Sequence, residues 1–90
     1  MTPEEEHRLQ FVLNEIEGDE IHITPAEMRI IYLRCVELLT MADIVKITGL
    51  KEKTIDSQFY NVSRRLRGKN KNLRMKITAD YHFWLGMDTI

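Results

Sequence analysis

Thr2-Pro3-Glu4-Glu5 and Thr24-Pro25-Ala26-Glu27 repeat one helix-start signal, and no other feature constrains the fold of this chain as strongly. In each copy threonine stands at the N-cap and proline takes the first helical position, where its missing N–H has no intrahelical partner to lose. Glutamate three residues after the cap completes a capping box. The signal predicts helices beginning near residues 3 and 25. The first helix would carry Leu9, Val12, Leu13 and Ile16 on one face, end towards Gly18, and leave Phe11 on the opposite side as a candidate partner contact.

The second helix, over about residues 25 to 38, is apolar on more than one side. Met28, Ile31, Tyr32, Cys35 and Leu39 form a stripe, while Ile30 and Leu33 point elsewhere, so a second element must cover it. The N-terminal helix is the nearest candidate, and a dimer partner could do the same. Cys35 is the only cysteine, which rules out an internal disulfide, and its neighbours mark it as a small buried hydrophobe.

Thr40 provides another N-cap, with Asp43 three residues on as the capping acid. A short helix from Met41 to about Thr48 would bury Ile44 and Val45. Gly49 would end it in the left-handed conformation, and Leu50 would fill the turn. The next helix runs from about Glu52 to Leu66. At about 100° per residue, Ile55, Phe59, Val62 and Leu66 share an inner stripe; Lys53, Ser57, Tyr60 and Arg64 lie nearly opposite, flanked by Asn61 and Arg67. A short helix, a glycine-bearing turn and a basic amphipathic helix make up the anatomy of a helix-turn-helix DNA reader. The outward groups are guanidinium, ammonium, amide and hydroxyl, which match base edges and phosphates in the major groove.

Charge is polarised along the chain. Residues 1 to 45 hold ten acids against Arg8, Arg29 and Arg34, a net of −7, whereas residues 46 to 76 hold ten Lys or Arg against Glu52 and Asp56, a net of +8. With Asp80 and Asp88 the whole chain comes to −1. At a Debye length of about 8 to 10 Å the acidic half cannot cancel the basic segment unless it folds against it. Gly68-Lys69-Asn70-Lys71-Asn72 reads as a polar loop with two cations for the phosphate backbone. A solvated charged face is the alternative for any basic run.

The tail supports two readings. Leu73, Met75 and Ile77 alternate with Arg74 and Lys76, and Tyr81, Phe83 and Leu85 alternate again, which suits a short β-wing. Thr78-Ala79-Asp80 could instead cap a last helix, which is the slightly favoured reading. In both cases the apolar groups need cover, and Tyr81, Phe83, Trp84 and Met87 join Phe11 as a candidate protein interface. The domain layout expected is an N-terminal helix extension over 1–22, a DNA-binding domain over 23–72, and an apolar packing or dimerisation segment over 73–90.

Ninety residues suffice for one small domain and leave no room for a second. No apolar run approaches the roughly 18 residues of a membrane span, and the acidic start is the opposite of a signal peptide. A soluble, cytoplasmic protein with no membrane association is expected. His7, His22 and His82 lack zinc-helix spacing, a single cysteine makes no ligand set, and the four glycines form no phosphate loop. Clustered Glu4, Glu5 and Glu6 suit the positive end of a helix better than a catalytic pair. Neither enzyme activity nor a metal or cofactor is expected.

The order of these residues resembles the LuxR/GerE-type helix-turn-helix domain of bacterial transcriptional regulators, over about residues 23 to 71. That family's Leu-Thr-x-x-Glu start is matched by Ile23-Thr24-Pro25-Ala26-Glu27, its Glu-Ile-Ala by Asp43-Ile44-Val45, and its Gly-Ile-Ser-x-x-Thr-Val by Gly49-Leu50-Lys51-Glu52-Lys53-Thr54-Ile55. The later Asn and Arg-Lys-Leu appear as Asn61 and Arg64-Arg65-Leu66. The resemblance implies an all-α, tetrahelical domain, here with an extra N-terminal helix. Such a domain enters the major groove with its third helix and usually dimerises through its fourth. Carried over by position, Lys53, Ser57, Asn61 and Arg64 would face DNA, and Thr54, Lys69 and Lys71 would hold phosphates. Gln58, Tyr60 and Arg65 complete the candidate set. Lys51 replaces the usual serine cap, Asp56 sits where a cation is common, Gln58 replaces a common histidine, and Glu37-Leu38 fall near a usual glycine.

The expected function is therefore that of a sequence-specific bacterial transcriptional regulator binding double-stranded DNA as a homodimer or heterodimer. The alternative is a truncated regulator that pairs with or antagonises a full-length one. A promoter module in contact with RNA polymerase is a third reading.

Overall fold

The computed structural model describes residues 1–66 and 72–88. Among them are five helices and no strand: α1 (Pro3–Glu17), α2 (Pro25–Ile31), α3 (Met41–Thr48), α4 (Glu52–Arg65) and α5 (Leu73–Asp88). A π-helical turn (Tyr32–Val36) continues α2 without a break.

Both duplicated caps form. Thr2 Oγ1 accepts the Glu5 N–H at 3.2 Å and the Glu5 carboxylate accepts the Thr2 N–H at 2.8 Å. Thr24 and Glu27 make the same exchange at 3.2 and 3.0 Å. Gly18 ends α1 at φ 81° and Gly49 ends α3 at φ 72°, conformations that a Cβ disfavours. Thr40 Oγ1 accepts the Asp43 N–H, but the Asp43 carboxylate bonds the Thr40 hydroxyl at 2.9 Å, so a full capping box is not made.

The π turn shifts the ladder by one residue: the Glu37 N–H reaches the Tyr32 carbonyl at 3.1 Å. Leu38 then takes a left-handed φ of 58°, costing about 1 kcal/mol for a residue with a Cβ, at the place where the sequence pattern lacks glycine.

α5 decides between the two readings of the tail. The helix begins at Leu73, well before the Thr78 cap, because Leu73, Ile77 and Tyr81 recur every four residues and form one buried stripe. The alternating pattern that suggested a β-wing comes from a second, exposed apolar set that includes Met75 and Phe83. Thr78 lies inside the helix, where its single hydroxyl proton is shared between the Arg74 carbonyl at 2.8 Å and, across the interface, the Cys35 carbonyl at 2.9 Å.

The packing corrects a second expectation. α1 lies against α5, and α5 in turn covers the π turn that extends α2, so the tail, more than the N-terminal helix, closes the second apolar face. α2 itself packs on α4, and α3 touches both α4 and the π turn. One core results, in which Leu9, Val12 and Leu13 of α1 join Ile30, Ile31, Cys35, Ile44, Ile55, Val62, Ile77 and Tyr81. A polar contact also joins α1 to the π turn: the Tyr32 hydroxyl donates to Glu5 at 2.5 Å, holding that carboxyl below its usual pKa and pushing the phenol up.

Cys35 is fully buried, and desolvation pushes its thiol up to about 12. The Cα radius of gyration is 12.6 Å, close to the roughly 12 Å of a compact domain this size, so the N-terminal helix belongs to the same packed body. No helix among the described residues is long and apolar enough to cross a membrane.

Candidate nucleic-acid interface

α4 separates its two faces as its residue spacing demands. Ile55 and Val62 are fully buried, Leu66 nearly so, and Phe59 half-buried, while Lys53, Thr54, Ser57, Tyr60, Asn61 and Arg64 are exposed together on the other side. Six of the ten candidate DNA-binding residues thus share one open helical face. The Arg64 guanidinium lies 5.9 Å from the Tyr60 ring centre, a cation–π contact that restrains both side chains on that surface.

The helix is presented by its N-terminal neighbour. Thr48 donates to the Ile44 carbonyl at 2.7 Å and its hydroxyl accepts the Leu50 N–H at 3.1 Å, so Gly49-Leu50-Lys51 is pinned at the α3 end. Lys51 holds the N-cap position with extended geometry (φ −75°, ψ 151°), yet no side chain caps the first N–H groups of α4. The departure from serine read in the sequence leaves that helix start open.

Two of the expected contacts do not join the open face. Gln58 is half-buried and its side-chain carbonyl oxygen reaches no hydrogen-bond partner, so it is not part of the open face. Arg65 turns back onto the protein, donating through Nη1 to the His22 carbonyl at 2.6 Å, through Nε to the Asn61 carbonyl at 3.3 Å, and through Nη2 to the Glu27 carboxylate. Glu27 is the one charged side chain among the described residues that is buried, at 8% exposure. The Arg65 hydrogen bond lowers its pKa to about 2 and raises that of Arg65. Lys69 and Lys71, expected on the phosphates, lie outside the described residues.

Electrostatics on α4 are more balanced than the sequence run implies. Lys53 and Arg64 are exposed beside the exposed acids Glu52 and Asp56, while Arg65 is neutralised by Glu27. Lys46, Lys51, Arg74 and Lys76 of the basic segment lie outside α4, and Lys76 pairs with Asp80 at 3.1 Å. Asp56 is offset by Arg34 at 3.4 Å, whose guanidinium also stacks 4.9 Å over the Phe59 ring. Spacing within one helix could not reveal Arg34 or Glu27, because their partners lie 22 and 38 residues away.

The second candidate surface is divided. Tyr81, expected at an interface, is 2% exposed and belongs to the core beneath Arg8, whose guanidinium lies 5.6 Å from its ring. Phe11, Phe83, Trp84 and Met87 remain exposed. Phe11 meets Trp84 edge-on at 5.2 Å, and Trp84 meets Phe83 at 5.4 Å, forming an aromatic patch beside a shallow groove that Glu4, His7 and Arg8 complete.

Among the described residues no group of three His, Cys, Asp or Glu side chains is arranged to hold a metal ion. Comparison with protein-family models, curated proteins and solved structures finds no match to this chain. What the fold defines is a small, compact all-α domain.

Proposed function

We propose that this protein is a sequence-specific DNA-binding transcriptional regulator of the helix-turn-helix type, reading the major groove with α4 and resembling the LuxR/GerE domain. The observation that carries the reading is the open face of Lys53, Thr54, Ser57, Tyr60, Asn61 and Arg64 opposite the buried stripe of Ile55 and Val62. Amide, hydroxyl and cationic donors at groove-compatible spacing supply both base-edge and phosphate contacts. In this reading α3 crosses the backbone, Asn61 and Arg64 reach base edges, and Lys53 and Thr54 hold phosphates, with Lys69 and Lys71 adding charge from the following segment.

Fluorescence anisotropy with labelled duplexes from the gene's own upstream region tests it. Affinity is expected to fall steeply with salt, each neutralised phosphate contributing about 0.9 to the log–log slope. Arg64→Ala is expected to weaken binding by on the order of 1 to 3 kcal/mol if that side chain reads a base. Salt-insensitive or undetectable binding to every duplex would end the proposal.

A second reading is favoured by the exposed patch of Phe11, Phe83, Trp84 and Met87 and by the charge balance on α4. It makes the chain an interaction protein that pairs with or masks a full-length regulator. Light scattering of a mixture would then show a stable heterocomplex, with weak intrinsic DNA affinity.

A further inference from the structure

We infer that Arg65 is a positioning residue for α4: it bolts the C-terminal end of the helix to the start of α2 and makes no contact with DNA. This rests on the reading of α4 as the DNA-facing helix, and it removes from that face a cation that the sequence pattern places there.

The geometry ties this side chain to the protein through three of its five N–H groups. All three guanidinium nitrogens of Arg65 donate within the protein, to the Asn61 carbonyl, the His22 carbonyl and the Glu27 carboxylate. Glu27 is held from its other side, since its second oxygen accepts the Thr24 N–H at 3.0 Å and its own N–H donates to Thr24 at 3.2 Å. The residues that start α2 and the residues that end α4 are therefore one hydrogen-bonded unit.

The competition between Glu27 and a phosphate for Arg65 has a clear winner. A phosphate offers a solvent-screened contact, whereas releasing Arg65 would leave a buried carboxylate without its cation. The end of α4 is otherwise held by packing, through buried Val62 and Leu66. Leu66 closes it at φ −78° and ψ 29°, without the left-handed cap that glycine provides at the ends of α1 and α3. Asn61 and Arg64 line the same shallow depression as Glu27 and Arg65, so the bolt fixes the stretch of helix that carries both.

The test compares duplex binding across a potassium chloride series for the wild type, Lys53→Ala, Arg65→Ala, Arg65→Lys and Glu27→Gln, at a temperature where circular dichroism shows each fully folded. Lys53→Ala, which removes a proposed phosphate contact, is expected to flatten the salt slope by about 0.9. Arg65→Ala and Glu27→Gln are expected to weaken binding by a similar factor at every salt concentration with the slope unchanged. The double variant should be no weaker than the worse single, and Arg65→Lys should recover part of the loss. An Arg65→Ala slope flattened like that of Lys53→Ala would mean a phosphate contact and overturn the inference; unchanged affinity in folded Arg65→Ala would overturn it as well.

Amide hydrogen exchange of the free protein gives a reading that needs no DNA. Glu27→Gln is expected to speed exchange selectively at residues 62 to 66, and unaltered exchange there would refute the bolt. Absence of duplex binding by the wild type would instead defeat the DNA-reading proposal, leaving the exchange result to decide the bolt.

Discussion

Lys51 starts α4 with the right backbone and the wrong side chain, so Lys51→Ser should stabilise the protein. The residue already has the extended conformation of an N-cap, and no side chain accepts a hydrogen bond from the first turn. A serine there accepts the N–H of Thr54, one of the four donors that every helix start leaves orphaned. Capping of this kind contributes about 1 kcal/mol, and removing a cation from the positive end of the helix adds about 0.3 to 1 kcal/mol. The sum is about 1.5 kcal/mol. In a domain this size each 1 kcal/mol moves the thermal midpoint by about 4 to 8 °C. Urea titration followed by circular dichroism should show a higher midpoint at unchanged slope. Lys51→Ala serves as a control that gains the charge contribution alone, a gain that high salt should erase while the serine's excess persists. A midpoint for Lys51→Ser no higher than that of Lys51→Ala would refute the assignment of the α4 cap.

Two further outcomes follow from the titrating groups. Glu27 has its pKa lowered from 4.5 to about 2, so its pairing contributes stability that is complete above about pH 4.5 and is lost as pH falls towards 2. Glu5 shifts in the same direction, chiefly through Tyr32 and also through Thr2, so Glu27→Gln should flatten part of the acid-induced fall in urea midpoint between pH 4.5 and 2, and adding Tyr32→Phe should flatten it further. Cys35, with its thiol pushed up to about 12 and no exposed surface, should resist iodoacetamide at pH 8 in the folded protein and react fully in urea; rapid labelling of the native protein would show the site to be open.

Local chemistry in the sequence was enough to locate most helices. The two Thr-Pro-x-Glu starts, Thr40 and the glycines at 18 and 49 sit where the helices begin and end, because caps and left-handed turns are decided by residues a few positions apart. The inner face of α4 follows from its period alone. What periodicity could not separate was α5, whose buried set (Leu73, Ile77, Tyr81) and exposed set (Met75, Phe83) together mimic strand alternation. Tyr81 belongs to the buried set, which its place in the alternating run conceals. The π turn has no local signature in the sequence, the left-handed Leu38 is signalled only by the glycine usual near Glu37-Leu38 in the resembling family, and the pairings of Arg65 with Glu27 and Arg34 with Asp56 depend on helices brought together by the core. Charge counted along the chain overstated the cationic character of α4 for the same reason.

Amide chemical-shift mapping on addition of a bound duplex tests the central claim most directly. Perturbations centred on Lys53, Thr54, Ser57, Tyr60, Asn61 and Arg64, with smaller effects on the buried face, are expected if α4 lies in the major groove. Perturbations confined to the neighbourhood of Phe11, Phe83, Trp84 and Met87, or none at all, would contradict it.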